Sequence, residues 1–111
     1  GVPVLTSRLP TGDNSTLRQM ADRFRQRFAS GVAVLAGVKN DRPMLVVTVT
    51  DDLVHRGLDA GDLINELASG LGGSGGGRPT FAQAGGKDAS HLDEVLARVP
   101  ELVEQKLQPA S

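Results

Sequence analysis

Cysteine, tryptophan and tyrosine are absent from this 111-residue chain, and phenylalanine occurs only three times. Without cysteine there is no disulfide, no catalytic thiol and no cysteine-ligated zinc. No apolar run approaches the roughly 20 residues that span a bilayer, and no signal peptide opens the sequence. We therefore expect a cytoplasmic protein that binds no membrane and has a core built mostly from valine, leucine and alanine.

Charge of one sign does not dominate the chain either. Twelve basic residues stand against thirteen acidic ones, and the formal net charge is −1. Nucleic-acid binding would therefore depend on a local patch and not on a field around the whole molecule. Nine of the basic residues are arginine, which suits bidentate contacts with phosphate but is also common on ordinary surfaces.

The apolar pattern predicts one α/β domain over residues 1–111, with a single mixed sheet of about four or five strands flanked by helices. The predicted order is β-α-β-β-α-loop-β-α-α. The first β-α-β unit is expected to be a parallel crossover, and the following hairpin is expected to add an antiparallel edge. The second helix should start near Asp59, and Pro100 should break the last helical segment. The predicted strands cover Val2–Leu9, Gly31–Val38, Met44–Thr50 and Pro79–Ala84.

A glycine-rich segment, GLGGSGGGRPTFAQAGG at residues 70–86, holds eight of the fourteen glycines. Its composition is typical of a flexible linker. However, too few residues follow it to build a second core, so the strand after Arg78 must join the sheet formed by the first half. The segment therefore lies inside the domain, where so many glycines favour a backbone that approaches a ligand closely. Successive N–H groups there could bind an anion, and Arg78 supplies a charged fork for it.

The glycine segment matches neither standard nucleotide-binding fingerprint. It leads into a predicted strand, whereas the dinucleotide motif opens a helix. The pair Gly86-Lys87 is followed by Asp88 and not by serine or threonine, so it is not a Walker loop. We therefore do not expect a free-standing ATPase.

A second polar cluster, Asp51, Asp52 and His55, suggests a metal site. Adjacent strand positions point to opposite faces, however, and no second group of His, Asp or Glu completes a ligand set. We predict a turn with solvated carboxylates, no metal site and no catalytic residue.

The run GGSGGGRPTFAQAGGKD, followed by a helix reading LDEVLARVPELVEQKL, resembles the C-terminal globular domain of alanyl-tRNA synthetases. That domain belongs to the DHH-associated family, which also occurs in phosphodiesterases and exonucleases. The resemblance covers essentially the whole chain, although its first half is generic α/β sequence. It implies a module excised from a longer protein, without the long helical segment and the aminoacylation and editing domains that precede it there.

The resemblance also implies a function, which is to hold the outer corner, or elbow, of tRNA without catalysis and so to couple aminoacylation with editing. The partners would be tRNA and the remaining synthetase domains. No cofactor is expected for this domain, because ATP, magnesium and zinc would belong to the upstream domains. The RNA contacts carried over from the resemblance are Gly75, Gly76, Gly77, Arg78, Gln83, Gly85 and Gly86. Gln83 either contacts a ribose or base edge or caps a neighbouring backbone group.

The first predicted helix carries an arginine-rich face, which is either a phosphate-binding stripe or a solvated face partly balanced by Asp22. Because aromatic residues are scarce, recognition should depend on backbone and shape and not on base stacking. The possible secondary RNA contacts are Arg18, Arg23, Arg25, Arg27 and Lys87.

Two other functions remain open at this point. The chain could be the substrate-binding half of a DHH-type phosphoesterase or nuclease, with its catalytic half upstream. It could also be an assembly domain, because the family that it resembles can also mediate self-association.

Overall fold

The computed structural model describes residues 3–10 and 13–107, so the predicted start of the first strand at Val2 lies outside the described residues. Within the described part, no helix is long and apolar enough to cross a membrane. The elements in chain order are β1 (Val4–Arg8), α1 (Asn14–Arg27), β2 (Val32–Lys39), β3 (Arg42–Val49), α2 (Asp51–Val54), α3 (Ala60–Ser69), β4 (Ser74–Arg78), β5 (Phe81–Gly85), α4 (Leu92–Ala97) and α5 (Val99–Lys106).

The five strands form one mixed sheet in the order β1-β2-β3-β5-β4. β1 runs parallel to β2, and the other neighbours are antiparallel. The predicted fold class, the parallel crossover and the β2–β3 hairpin are therefore confirmed. Positive φ angles at Asn40 (54°) and Asp41 (64°) close that hairpin, as a two-residue primed turn requires.

Two features of the sheet differ from the prediction. β3 is not an edge, because β5 pairs with its other side and puts it in the middle of the sheet. The segment predicted as a loop contains the edge strand β4, because a tight turn at Pro79 and Thr80 folds it back onto β5. Glycine has a low strand propensity, so composition alone indicated a loop where cross-strand pairing makes a strand.

The remaining helix boundaries follow local rules. Asp59 caps α3 by accepting a hydrogen bond from the Asp62 N–H at 3.2 Å. The Ala60 N–H donates to the Pro79 carbonyl oxygen at 2.8 Å, so the start of α3 is tied to the β4–β5 turn. α4 ends before Pro100, which occupies the first turn of α5, and the predicted break is confirmed.

The two faces of the sheet are covered unequally. On one face α3, α4 and α5 complete the main core, which includes Val34, Val47 and Ala82. On the other face α1 packs alone on β2 and β3, where Leu17 contacts a small cluster that includes Leu35 and Val46. Since α1 lies over the middle strands, it leaves two uncovered strips on that face, one over β1 and one over β5 and β4.

Candidate nucleic-acid interface

The glycines of β4 alternate between the two faces of the sheet. Gly75 pairs with Ala84 and Gly77 with Ala82, and both alanines are buried in the main core on the α3 side. Gly76 pairs instead with Gln83, in the same cross-strand row as Val46 on the α1 side. The glycines predicted as equivalent RNA contacts therefore have two different environments.

Gly75 and Gly77 are required by packing. A Cβ atom at Gly75 would collide with the Cβ of Ala84 and the carbonyl oxygen of Gln83, and would lie 2.7 Å from the Ala84 Cα. At Gly77 it would lie 2.7 Å from the Ala82 Cα. Gly86, beyond β5, has the same constraint, since its Cβ would stand 2.7 Å from that of Leu71. Their lack of a side chain is explained by the close approach of neighbouring backbone.

Gly76 is different, because packing does not require it to be glycine. Apart from Gly76 itself and its two chain neighbours, no atom of the described residues lies within 4 Å of the position that a Cβ there would occupy. Its φ angle is not among the positive ones, so its backbone is accessible to any residue. A bare glycine in a strand lowers strand stability and commonly marks a place where a ligand or another backbone approaches closely.

Basic and polar side chains surround Gly76 on the same face. Arg78 and Gln83 are exposed. From α1, the guanidinium carbon of Arg18 lies 5.4 Å from the centroid of the Phe81 ring, a cation–π contact that holds this arginine over β5. Within the described residues, no carboxylate forms a salt bridge with Arg18 or Arg78. We call this group, formed by Arg18, Gly76, Arg78, Phe81 and Gln83, the basic surface.

The anion-binding concavity predicted from successive N–H groups is not formed by β4. In an antiparallel edge strand, alternate N–H groups bond to the neighbouring strand and the others point outward. The positive charge that could attract an anion to this face is therefore that of Arg18 and Arg78. Gly85 lies on the same face of the sheet. A Cβ atom added to it would lie 3.4 Å from the sulfur of Met44.

The arginine-rich face of α1 is divided between two flanks. Arg18 and Arg25, seven residues apart, lie on the flank toward β3 and β5. Arg23 and Arg27 lie on the opposite flank and line a cavity with Leu5 of β1. The predicted single stripe is thus divided into two pairs, and of these four arginines only Arg18 belongs to the basic surface.

The last predicted contact, Lys87, is exposed and follows β5, where its N–H donates to the Leu71 carbonyl oxygen at 2.9 Å.

Asp51 and Asp52 open the short helix α2, where the sequence indicated a turn. The Thr50 hydroxyl donates to the Asp52 carboxylate at 2.5 Å and accepts from the Gly31 N–H at 3.0 Å. Hydrogen bonds from the side chains of Ser30 and Thr50 lower the pKa of Asp52 below its ordinary value. These bonds give Asp52 a structural role at the ends of β2 and β3. In the described part of the chain, no three potential ligands converge on a metal position.

Sequence reasoning missed Phe81 as part of the site. It is the one phenylalanine outside the α1 segment, since the other two are Phe24 and Phe28. Its isolation from the other two could have marked Phe81 as a candidate site residue. However, its contact with Arg18 joins residues 63 positions apart and depends on the position of α1, which crosses β3 beside β5. An alternation pattern in β5 alone does not reveal it.

Known proteins resemble this chain in sequence. Residues 1–105 match the family described as the DHHA1 domain. The chain is 50% identical over 96 residues to an alanine–tRNA ligase of Geobacillus thermodenitrificans, and 49% identical over 108 residues to one of Pelotomaculum thermopropionicum. These alignments cover 86% and 97% of this chain but only 11% and 12% of the relatives. The chain thus spans a small part of the length of these curated relatives.

Solved structures show the same relationship. The C-Ala domain of Aquifex aeolicus alanyl-tRNA synthetase matches with a TM-score of 0.83 at 28% identity, over 93% of this chain and 95% of that one. A DHH domain from a member of a family of ribosomal proteins matches with a TM-score of 0.64 at 20% identity, over 98% of this chain and 27% of that one, and shows a shared fold alone. The resemblance to the DHH-associated domain of alanyl-tRNA synthetases is confirmed. The chain belongs to the DHHA1 domain family.

Proposed function

We propose that this chain is a noncatalytic RNA-binding module of an alanine–tRNA ligase and that its basic surface holds the elbow of tRNA in the cytoplasm. The observation that supports this most directly is Gly76, a strand glycine that packing does not require, with Arg18, Arg78 and Gln83 around it. Close approach to a bare backbone beside two guanidinium groups suits a sugar–phosphate chain.

The chemistry of the basic surface favours recognition of shape. It offers two arginines, one amide side chain and a ring whose face is already occupied by Arg18. Discrimination among bases would need several directed donors and acceptors or free aromatic faces. The surface therefore suits a fixed arrangement of phosphates and riboses, and the elbow of tRNA offers such an arrangement.

The rest of the ligase would supply the chemistry. ATP, magnesium and zinc would bind to its other domains, and this domain would bring one tRNA to both the aminoacylation and the editing site. The similarity to alanine–tRNA ligases over 86% to 97% of this chain supports that assignment.

Competition titrations at fixed salt test the proposal. We expect the chain to bind several tRNA species with similar affinity and to prefer folded tRNA to an unstructured RNA of the same length, because the elbow has much the same shape in most tRNAs. A strong preference for alanine tRNA, or for its acceptor stem supplied as a minihelix, would contradict elbow binding.

Arg78→Ala is expected to weaken tRNA binding about tenfold, or ~1.4 kcal/mol, and to reduce the slope of log affinity against log salt by about one. The guanidinium is exposed, so the melting temperature should not change. The matched control is Arg27→Ala, which removes the same charge from the opposite flank of α1 and should leave the affinity near that of the wild type. Equal losses in the two variants would indicate a diffuse charge effect and not a site.

A further inference from the structure

The second uncovered strip, over β1, carries an apolar patch on the opposite side of α1 from the basic surface. Leu5, Met20 and Phe28 are 43%, 38% and 44% exposed, and they are the large exposed hydrophobic side chains of the described residues. Together with Phe24 they line one open cavity of about 330 Å³. We call these four residues the apolar patch. Exposed apolar side chains that converge in this way are typical of interaction sites.

The apolar patch is held in place by its own packing. The ring of Phe28 stacks on that of Phe24, with centroids 4.8 Å apart and planes inclined by 26°. Phe24 is itself 5% exposed, and a Cβ at Gly31 would lie 2.8 Å from its Cζ atom. The exposed ring therefore rests on a fixed one, and the patch exists before any partner binds.

The charged residues that line the cavity of the apolar patch have one sign, whereas Asp51 and Asp52 line a separate cavity, which Phe28 shares with Arg25. Arg23 and Arg27 line the cavity of the patch, together with the neutral Gln26. Asp22 is the one carboxylate in α1. It stands four residues from Arg18 and therefore shares that flank of the helix and not this one. A partner would meet an apolar centre with a cationic rim.

We infer that the apolar patch docks an amphipathic helix of a partner polypeptide whose apolar stripe is flanked by acidic residues. A helix offers apolar side chains at i, i+3 or i+4, and i+7, which suits a short cleft beside α1. Glutamate or aspartate beside that stripe would pair with Arg23 and Arg27. The basic surface takes no part in this contact, so the inference does not depend on RNA binding there.

Charge and polarity argue against two other occupants. A second copy docked by two-fold symmetry would bring Arg23 and Arg27 of one copy against those of the other, which is unfavourable for like charges. An RNA strand would satisfy the arginines but would leave the four apolar side chains against a polar backbone. An acidic amphipathic helix matches both parts of the surface.

The test uses the full chain and two synthetic helical peptides of about 18 residues, long enough for several helical turns, each labelled with a fluorophore. Both carry the same leucine stripe; glutamates flank it in one and lysines in the other. Fluorescence anisotropy at fixed salt should give at least about tenfold tighter binding of the glutamate peptide.

Met20→Glu should abolish the binding of the glutamate peptide. The double substitution Arg23→Glu and Arg27→Glu should reverse the preference, so that the lysine peptide binds more tightly, whereas Arg78→Ala should bind the glutamate peptide like the wild type.

Equal affinity for the two peptides, or no measurable binding of either, would overturn the inference. Sedimentation and tRNA titration of the same variants identify the other occupants. Self-association that is lost in Met20→Glu would assign the patch to a second copy, and tRNA affinity that is lost there would assign it to RNA. Leu5→Lys, placed on β1 and not on α1, repeats the test if Met20→Glu does not fold.

Discussion

Gly76→Val is expected to weaken tRNA binding by about thirtyfold, or ~2 kcal/mol, without lowering the melting temperature. Beyond the two chain neighbours of Gly76, no described residue has an atom within 4 Å of the new Cβ, and the φ angle of Gly76 is not positive. Valine also favours strands more than glycine does, so stability should stay constant or rise. The two methyl groups would project from the basic surface, on the same face of β4 as Arg78, and would hold a sugar–phosphate chain away from it. Filter binding or anisotropy with labelled tRNA measures the loss, and thermal denaturation measures the stability.

A matched control for Gly76→Val places the same side chain at another exposed strand position. Thr6 of β1 is exposed and lies at the other edge of the sheet, so Thr6→Val should leave tRNA affinity unchanged. A folded Gly76→Val variant that binds tRNA like the wild type would show that the bare backbone is not the contact.

Gly75→Ala is expected to have the largest effect on stability, a loss of about 3 kcal/mol in the free energy of unfolding. The added methyl group would overlap the Cβ of Ala84 and the carbonyl oxygen of Gln83. Both belong to β5, which is held between β3 and β4, so neither atom can move without disturbing the sheet. Urea denaturation followed by circular dichroism measures the change.

The adjacent position gives the control for this second prediction. Gly76→Ala makes the same chemical change one residue along the same strand, where the new Cβ is directed toward the open face. Its free energy of unfolding should equal or exceed that of the wild type. Equal stability of Gly75→Ala and Gly76→Ala would contradict the assignment of the two glycines to different faces.

Sequence reasoning succeeded where local chemistry determines the structure. The cap at Asp59, the break at Pro100 and the β2–β3 hairpin follow from residue types within a few positions of each other. The mixed sheet follows from the order of the predicted strands and helices along the chain. Gly76, Arg78 and Gln83 lie near one another because they are on consecutive strands, and their contact with RNA stays a prediction.

Other parts of the site depend on long-range pairing and were not predictable. Glycine composition indicated a loop, and only the register with β5 reveals that Gly75 and Gly76 face opposite sides of the sheet. The division of the α1 arginines into two flanks follows from helical geometry, but which flank faces β5 depends on the position of α1 on the sheet. For this reason the sequence predicted Arg18 only as a secondary RNA contact, and the Phe81 ring that it contacts was missed.

Helix α1 crosses the middle of the sheet face, and the basic surface and the apolar patch on either side of it share no residue. Arg18 belongs to the basic surface, and Arg23 and Arg27 line the cavity of the apolar patch. Two ligands bound on this face would therefore occupy it at the same time without competing, with the width of one helix between them. The domain would then act as an adaptor that fixes the distance from an RNA to a polypeptide. Each attachment could change through evolution by substitutions on its own flank, while the shared buried stripe at Leu17, Ala21 and Phe24 kept the helix in position.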